Sequence, residues 1–229
     1  MQCLFMVIDK TNYINYYNIS LEEIKSFGDK KPTIALHACC GPCACFPLEF
    51  LSKYFSKATI IYTNSNIYPE EEYVRRLGEL KKVVKISKEK YNFDIELVEF
   101  PYDNKSYNKI LDEYGDQDEG LDRCKRCYRV RMDEAYTYAD AHNFDYFTTV
   151  MTISRQKNSQ VMNQIGKDLS SKYKTKYFYS DFKKNNGQLR ASELRKEYDL
   201  YAQQYCGCIY SYARYLKRLK EKELQDGNK

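Results

Sequence analysis

Short strand-like runs alternate along this chain with longer stretches of helical period, and that alternation decides which folds are open to it. Pro32 to Ala38, Ala58 to Tyr62, Asp94 to Phe100 and Tyr146 to Val150 read as strands, with a short fifth at Tyr177 to Tyr179. Helical stretches lie between them. One is introduced by Pro47 and runs through Phe50, Leu51 and Tyr54; a long charged one, opened by Pro69, runs through Tyr73, Val74, Leu77 and Leu80. Others cover 105–115, the stretch from Cys124 through Tyr128, Val130, Met132 and Ala135, and the surroundings of Val161, Met162 and Ile165. Ahead of them, Ser20-Leu21-Glu22-Glu23 has the form of a capping box opening a helix that ends near Gly28. Strands separated by helices pair in parallel through crossovers, so the expected fold is a three-layer α/β sandwich with a mostly parallel, Rossmann-like sheet of about five strands.

At 229 residues the chain fits one domain with a full hydrophobic core. A core of that size removes the usual reason for a disulfide scaffold. The N-terminus lacks the basic start and cleavage site of a signal peptide, and no run approaches the roughly 18 apolar residues of a membrane span. A cytoplasmic protein with reduced thiols is the expectation. The net charge of +5 is modest, and the 24 tyrosines with no tryptophan suit RNA stacking only where basic groups cluster beside them.

Seven of the nine cysteines fall in three clusters: Cys39-Cys40-Gly41-Pro42-Cys43, Cys124-Lys125-Arg126-Cys127 and Cys206-Gly207-Cys208. Only Cys3 and Cys45 stand outside them. The first cluster follows the first strand, at the sheet edge where α/β proteins bind ligands. Backbone amides at a helix start there favour thiolate. The two-residue gap of Cys124 and Cys127 is that of paired metal ligands. Cys40-Gly41-Pro42-Cys43 is also a thioredoxin-type pair, but that leaves the other clusters without a task. Cys206 and Cys208 can close a small strained disulfide or ligate a second metal.

Two basic segments are candidates for RNA or phosphate. Thr148 to Ser154 ends a strand in hydroxyls and leads to Arg155, Lys157 and Asn158; Asp181 to Gly187 carries Lys183 and Lys184 and is followed by Arg190. Taken singly, each also fits a helix cap or a solvated loop. His37, on a buried strand, reads as a hydrogen-bonded core residue and His142 as a surface one.

Taken together, these motifs resemble the QueH-type epoxyqueuosine reductases, the cobalamin-independent enzymes of queuosine biosynthesis. The resemblance rests on Leu36-His37-Ala38-Cys39-Cys40-Gly41-Pro42-Cys43, Asn66 to Tyr73, Arg123 to Tyr128, Phe144 to Thr149, Lys157-Asn158, Asp181 to Gly187 and Tyr205 to Ser211. It sets residues 1–30 apart as an extension and makes 31–229 a single catalytic domain with a nucleotide α-hydrolase-like sheet. It implies reductive removal of the epoxide oxygen of epoxyqueuosine, at the wobble position of tRNA with a GUN-type anticodon, giving queuosine. An electron donor of ferredoxin or flavodoxin type would serve it. The resemblance places a 4Fe-4S cluster on Cys39, Cys40, Cys124 and Cys127. It makes Cys206 and Cys208 a redox pair or, with Cys43, ligands of an additional mononuclear iron. Iron at such a site binds the oxygen as a Lewis acid and passes electrons singly. Two rivals remain: a zinc-stabilised RNA-binding module with a site on Cys40, Cys43, Cys124 and Cys127, and a metal-free thiol–disulfide oxidoreductase.

Overall fold

The structure, a computed structural model, describes residues 13–226. Cys3 and the start of the expected N-terminal extension lie outside the described residues. Five strands, β1 (Thr33–His37), β2 (Lys57–Tyr62), β3 (Asp94–Glu99), β4 (Tyr146–Thr149) and β5 (Lys176–Tyr177), form one sheet in the order β3-β2-β1-β4-β5. Every neighbouring pair is parallel, with Ile34 opposite both Ala58 and Tyr146. This is the order of the first five strands of a doubly wound sheet, whose direction of winding reverses between β1 and β4.

Alternate residues of β1, β2 and β4 enter different cores, which is why these strands carry apolar side chains on both faces. Ile34, Leu36, Ile60 and Tyr62 face one cluster with α2 (Gly41–Leu51), α3 (Glu70–Tyr91) and α7 (Gly187–Glu197). Ala35, Ile61 and Phe147 face the other, with α5 (Asp122–Ala141) and α6 (Ser159–Ser170). The sheet thus has helices on both faces, as expected. α4 (Asn104–Leu111) continues into a short 3-10 turn at Asp112–Tyr114, and α8 (Ile209–Asp226) closes the described chain.

Three local expectations change. The first helix, α1 (Tyr16–Lys25), starts a turn earlier than the Ser20 capping box. Asn15 is its cap, accepting from the Asn18 amide at 3.2 Å, while Ser20 Oγ turns back to the Tyr17 carbonyl. Tyr16 supplies the reason: it is buried and stacks on Tyr179 with ring centroids 5.5 Å apart, so packing extends the helix past its apparent cap. α2 begins at Gly41 rather than at Pro47, which lies inside it; Pro42 occupies the first turn instead. Sequence periodicity also leaves α7 and α8 unassigned; both follow loops and carry mixed, mostly charged faces. No helix among the described residues is long and apolar enough to cross a membrane.

Candidate active site where three cysteine clusters meet

β1 ends at His37 and the chain turns at once into the first cysteines. Cys40 caps α2 in extended conformation and Cys43 lies in its first turn. The sulfurs of Cys39, Cys40 and Cys43 lie within 4.8 Å of one another. Gly41 makes this possible, because a Cβ there would stand 2.5 Å from the Glu79 carbonyl oxygen. Only glycine lets α2 begin so close against α3.

Cys124 and Cys127 sit about one turn apart at the start of α5, both buried. Tyr107 of α4 donates its hydroxyl to Cys127 Sγ at 3.3 Å and to the Cys127 carbonyl at 3.0 Å. The third cluster lies in the loop before α8. Gly207 there has φ +129, a conformation open to glycine, and a Cβ would press on the Arg76 guanidinium. Arg76 reaches from α3, 1% exposed, and donates to the carbonyls of Cys206 at 2.9 Å and Tyr205 at 3.0 Å. Its Nε pairs with Glu72 Oε1 at 2.7 Å. Both sulfurs of this loop are half-buried, and every cysteine among the described residues is a free thiol.

Electrostatics link the three clusters. Cys39 is held well below the usual thiol range by sulfur hydrogen bonds from Cys40 and Cys43, aided by Lys157 and Arg131 against the effect of burial. Cys40 and Cys43 move the other way: Cys40 mainly by burial, Cys43 by its hydrogen bond to Cys39. The first proton to leave this trio is therefore that of Cys39. Burial raises Cys124, Cys127 and Cys208, and charge on Cys206 pushes each further.

Arg131 of α5 lies under all this, 2% exposed. Its acceptors among the described residues are Asn64 Oδ1 at 3.5 Å and Met151 Sδ at 3.1 Å, and its Nε has none. Burial disfavours its charge, yet the neighbouring Cys127, Tyr107, Cys39 and Cys206 favour it and push its pKa up. Lys157 follows the 3-10 turn Val150–Ile153 after β4 and is half-buried on a cavity wall; desolvation opposes its charge, and Cys206, Tyr128 and Cys39 overcome it. A buried cation such as Arg131, with no carboxylate partner among the described residues, calls for an anion beside it, and Cys39 is the cysteine held toward its thiolate there. Cys39, Cys40 and Cys43, close enough to share an ion, form a soft donor set that suits a metal centre.

The basic residues divide. Arg155, Lys157, Asn158, Lys183 and Lys184 line one cavity of about 660 Å³, together with Tyr128, one residue beyond Cys127. A smaller cavity of about 280 Å³ reaches Cys43 and shares Arg155 with the first. Arg190 lies on neither: Glu49 holds its guanidinium at 2.8 Å, and Glu193 at 3.2 Å. Asn158 caps α6, accepting from the Gln160 amide at 2.8 Å. The hydroxyls of Thr148, Thr149 and Thr152 are taken up inside the protein, by Phe178, Ser180, Met151 and His37, so they form no oxyanion site. Phe182 is core rather than a stacking surface. His37 is fully buried with Nδ1 3.1 Å from Thr149 Oγ1, the core role expected of it. Burial, then the Arg131 charge, pulls it down to about 3.

Comparison with known proteins places this arrangement. The family model "Epoxyqueuosine reductase QueH" matches residues 34–214. The chain is 38% identical over 200 residues to epoxyqueuosine reductase QueH of Streptococcus pyogenes serotype M1, covering 86% of this chain and 78% of that protein. With the protein of the same name from Staphylococcus aureus (strain Mu50) it shares 35% identity over 206 residues, 88% of this chain and 85% of that one. The chain belongs to the QueH family of epoxyqueuosine reductases. Among solved structures, the NH3-dependent NAD synthetase of Campylobacter jejuni aligns over 93% of this chain and 88% of that one, with TM-score 0.39 and 13% identity, a likeness too loose to carry an argument. Arg76, Arg131 and Tyr107 lie against the cysteines, and sequence reasoning missed all three. A signal existed: Arg76 and Arg131 both fall on the buried stripe of their helices, where a charge has no place without a partner.

Proposed function

We propose that this protein reduces epoxyqueuosine to queuosine in tRNA, using an iron–sulfur centre seated among the cysteines. In balance, two carbon–oxygen bonds break, a carbon–carbon double bond forms, and the oxygen leaves as water with two electrons and two protons. The observation that carries the reading is the grouping of the Cys39, Cys40 and Cys43 sulfurs within 4.8 Å of one another, with the buried Arg131, which has no carboxylate partner among the described residues, close to Cys39, Cys127 and Cys206. Such a pocket balances the negative charge of a thiolate-ligated cluster. A zinc site needs only four ligands and leaves three sulfurs without a task.

Cys39, Cys40, Cys124 and Cys127 are assigned as ligands of a 4Fe-4S cluster, which when bound supplies electrons one at a time. Cys43, Cys206 and Cys208 are assigned to a second iron or a redox pair. Gln203, whose Nε2 lies 3.9 Å from Cys43 Sγ, ties Cys43 to the segment that carries Cys206 and Cys208 and supports that grouping. Lys157 presents fixed positive charge to the oxygen as it gains electron density. Lys125, Arg155 and Lys184 serve RNA phosphates, and an electron-transfer protein of ferredoxin or flavodoxin type supplies the electrons in the cytoplasm.

Anaerobic reconstitution with iron and sulfide, followed by nucleoside analysis of treated tRNA, tests the reaction. Persistence of epoxyqueuosine with loaded, reduced enzyme refutes it. Cys124→Ala or Cys127→Ala is expected to abolish the charge-transfer absorbance and lower bound iron; unchanged iron overturns the ligand assignment.

A further inference from the structure

The cavity beside the sulfurs has one wall that the family match does not include. Tyr13, which precedes α1, lies outside residues 34–214 yet lines this cavity together with Lys125 and Arg155. It is not there by accident of a loose terminus. The next residue, Ile14, is latched to α6 through both backbone groups: its amide donates to Gln160 Oε1 at 3.2 Å and its carbonyl accepts from Gln160 Nε2 at 2.8 Å. A turn further on, Tyr17 accepts from Asn185 Nδ2 at 2.9 Å, fixing α1 on the loop that carries Lys183 and Lys184. Lys184 Nζ stands 4.9 Å from the centre of the Tyr13 ring. The ring nevertheless remains 41% exposed.

A large aromatic held in place on a cavity wall, and left partly exposed, offers a flat face to another flat face. The cavity's other features say which kind. It is about 660 Å³, the size of a small-molecule site, with Lys125, Arg155 and Lys184 on its wall and Tyr128 among its lining residues near the cysteines. Cations with interleaved aromatics are the recognition pattern for an unpaired nucleotide: phosphate to the cation, base to the ring. Asp181, the carboxylate on the lining, is already engaged, accepting from Ser159 Oγ at 2.8 Å and pairing with Lys183 at 3.3 Å, so it does not set an acidic character.

We propose that Tyr13 is a substrate-contacting residue on which a base of the RNA loop stacks as the modified nucleotide enters this cavity, with Lys184 and Arg155 taking flanking phosphates. The proposal rests on the functional reading above for the identity of the RNA, and it assigns part of the N-terminal extension to substrate recognition.

The test measures binding separately from turnover. Iron-loaded full-length protein is titrated anaerobically into a fluorescein-labelled tRNA anticodon stem–loop, for the wild type, Tyr13→Ala, Tyr13→Phe and Lys184→Ala. Loss of one stacked base is expected to weaken binding about 5- to 150-fold in Tyr13→Ala, while Tyr13→Phe stays within about twofold. Lys184→Ala is expected to lower the salt dependence of binding by about one ion. With substrate tRNA, KM rises in Tyr13→Ala in step with binding while kcat holds within about threefold. Iron content and circular dichroism equal to wild type confirm that α1 is still docked. If α1 is lost, the comparison passes to Tyr13→Leu, which keeps the bulk without the aromatic face and is expected to bind as weakly. Equal affinity of Tyr13→Ala and wild type overturns the proposal, as does a wild type that does not bind the stem–loop. A wild type that binds it but leaves epoxyqueuosine unreduced refutes the reaction alone, and the ratio of affinities still decides the role of Tyr13.

Discussion

Replacing Arg76 by methionine is expected to be among the most damaging single changes in the chain outside the cysteines. The guanidinium is 1% exposed and holds three acceptors: the buried Glu72 Oε1 at 2.7 Å, and the half-buried carbonyls of Cys206 at 2.9 Å and Tyr205 at 3.0 Å. Methionine fills similar space but donates nothing. The Glu72 carboxylate, itself 8% exposed, keeps only the Tyr201 hydroxyl, at 3.1 Å. Removing one partner of a buried ion pair costs about 3–5 kcal/mol, because the remaining charge is left uncompensated. The two abandoned carbonyls add to that, so a loss of about 4 kcal/mol is expected, a large part of the roughly 5–15 kcal/mol that holds a domain together. Urea unfolding followed by circular dichroism measures it. Adding Glu72→Gln is expected to recover about 1–2 kcal/mol, since a neutral amide is cheaper to bury than a lone carboxylate. In native buffer, Cys206 and Cys208 of Arg76→Met should react faster with a thiol reagent, because the loop has lost its anchor. A stability change within about 0.5 kcal/mol, the range of ordinary surface substitutions, or a double variant as unstable as the two losses summed, would refute this account of Arg76.

Gly41→Ala drives a methyl group into the Glu79 carbonyl, where the Cβ distance would be 2.5 Å. It is expected to cost about 1–3 kcal/mol and to weaken metal retention by moving Cys40 and Cys43 together; thermal unfolding and iron content check it. Tyr107→Phe deletes the hydroxyl donated to Cys127 Sγ at 3.3 Å, with about 1 kcal/mol lost and a more negative reduction potential in the loaded enzyme, read by a redox titration. His37 falls from 6.5 to about 3 on folding, so it is neutral in the native state and binds a proton first in the unfolded one. Its contribution is therefore complete above pH 6.5 and declines as pH drops toward 3, by about 1.4 kcal/mol per pH unit. His37→Gln should flatten the stability–pH curve between pH 6.5 and 5; an unchanged slope contradicts the assignment.

Much of the fold was legible because strand and helix periods differ and the sheet is covered on both sides. β1, β2, β3 and β4 lie within a residue or so of where the apolar runs put them. The element starts were less readable. α2 was expected from Pro47 because proline favours a first turn, yet Pro42 answers the same preference earlier and Pro47 is carried inside the helix. At α1, the burial of Tyr16 outweighed a plausible cap at Ser20, and no local pattern reveals a stacking partner as distant as Tyr179.

The same division runs through the site. Which atoms do the chemistry is written in the chain, because sulfur at close spacing has few other uses in a protein of this size. The sequence order of the clusters also places the first at a strand's carboxyl end. What neutralises those sulfurs is not written there. Arg131 reaches them only after α5 packs against β1, and Arg76 holds the Cys206 loop only after α3 comes up to the segment before α8. Tyr13 joins the cavity only through its neighbour's latch to Gln160. Charge compensation and cavity walls depend on groups far apart in sequence approaching within a few ångströms, and only the tertiary structure decides those distances.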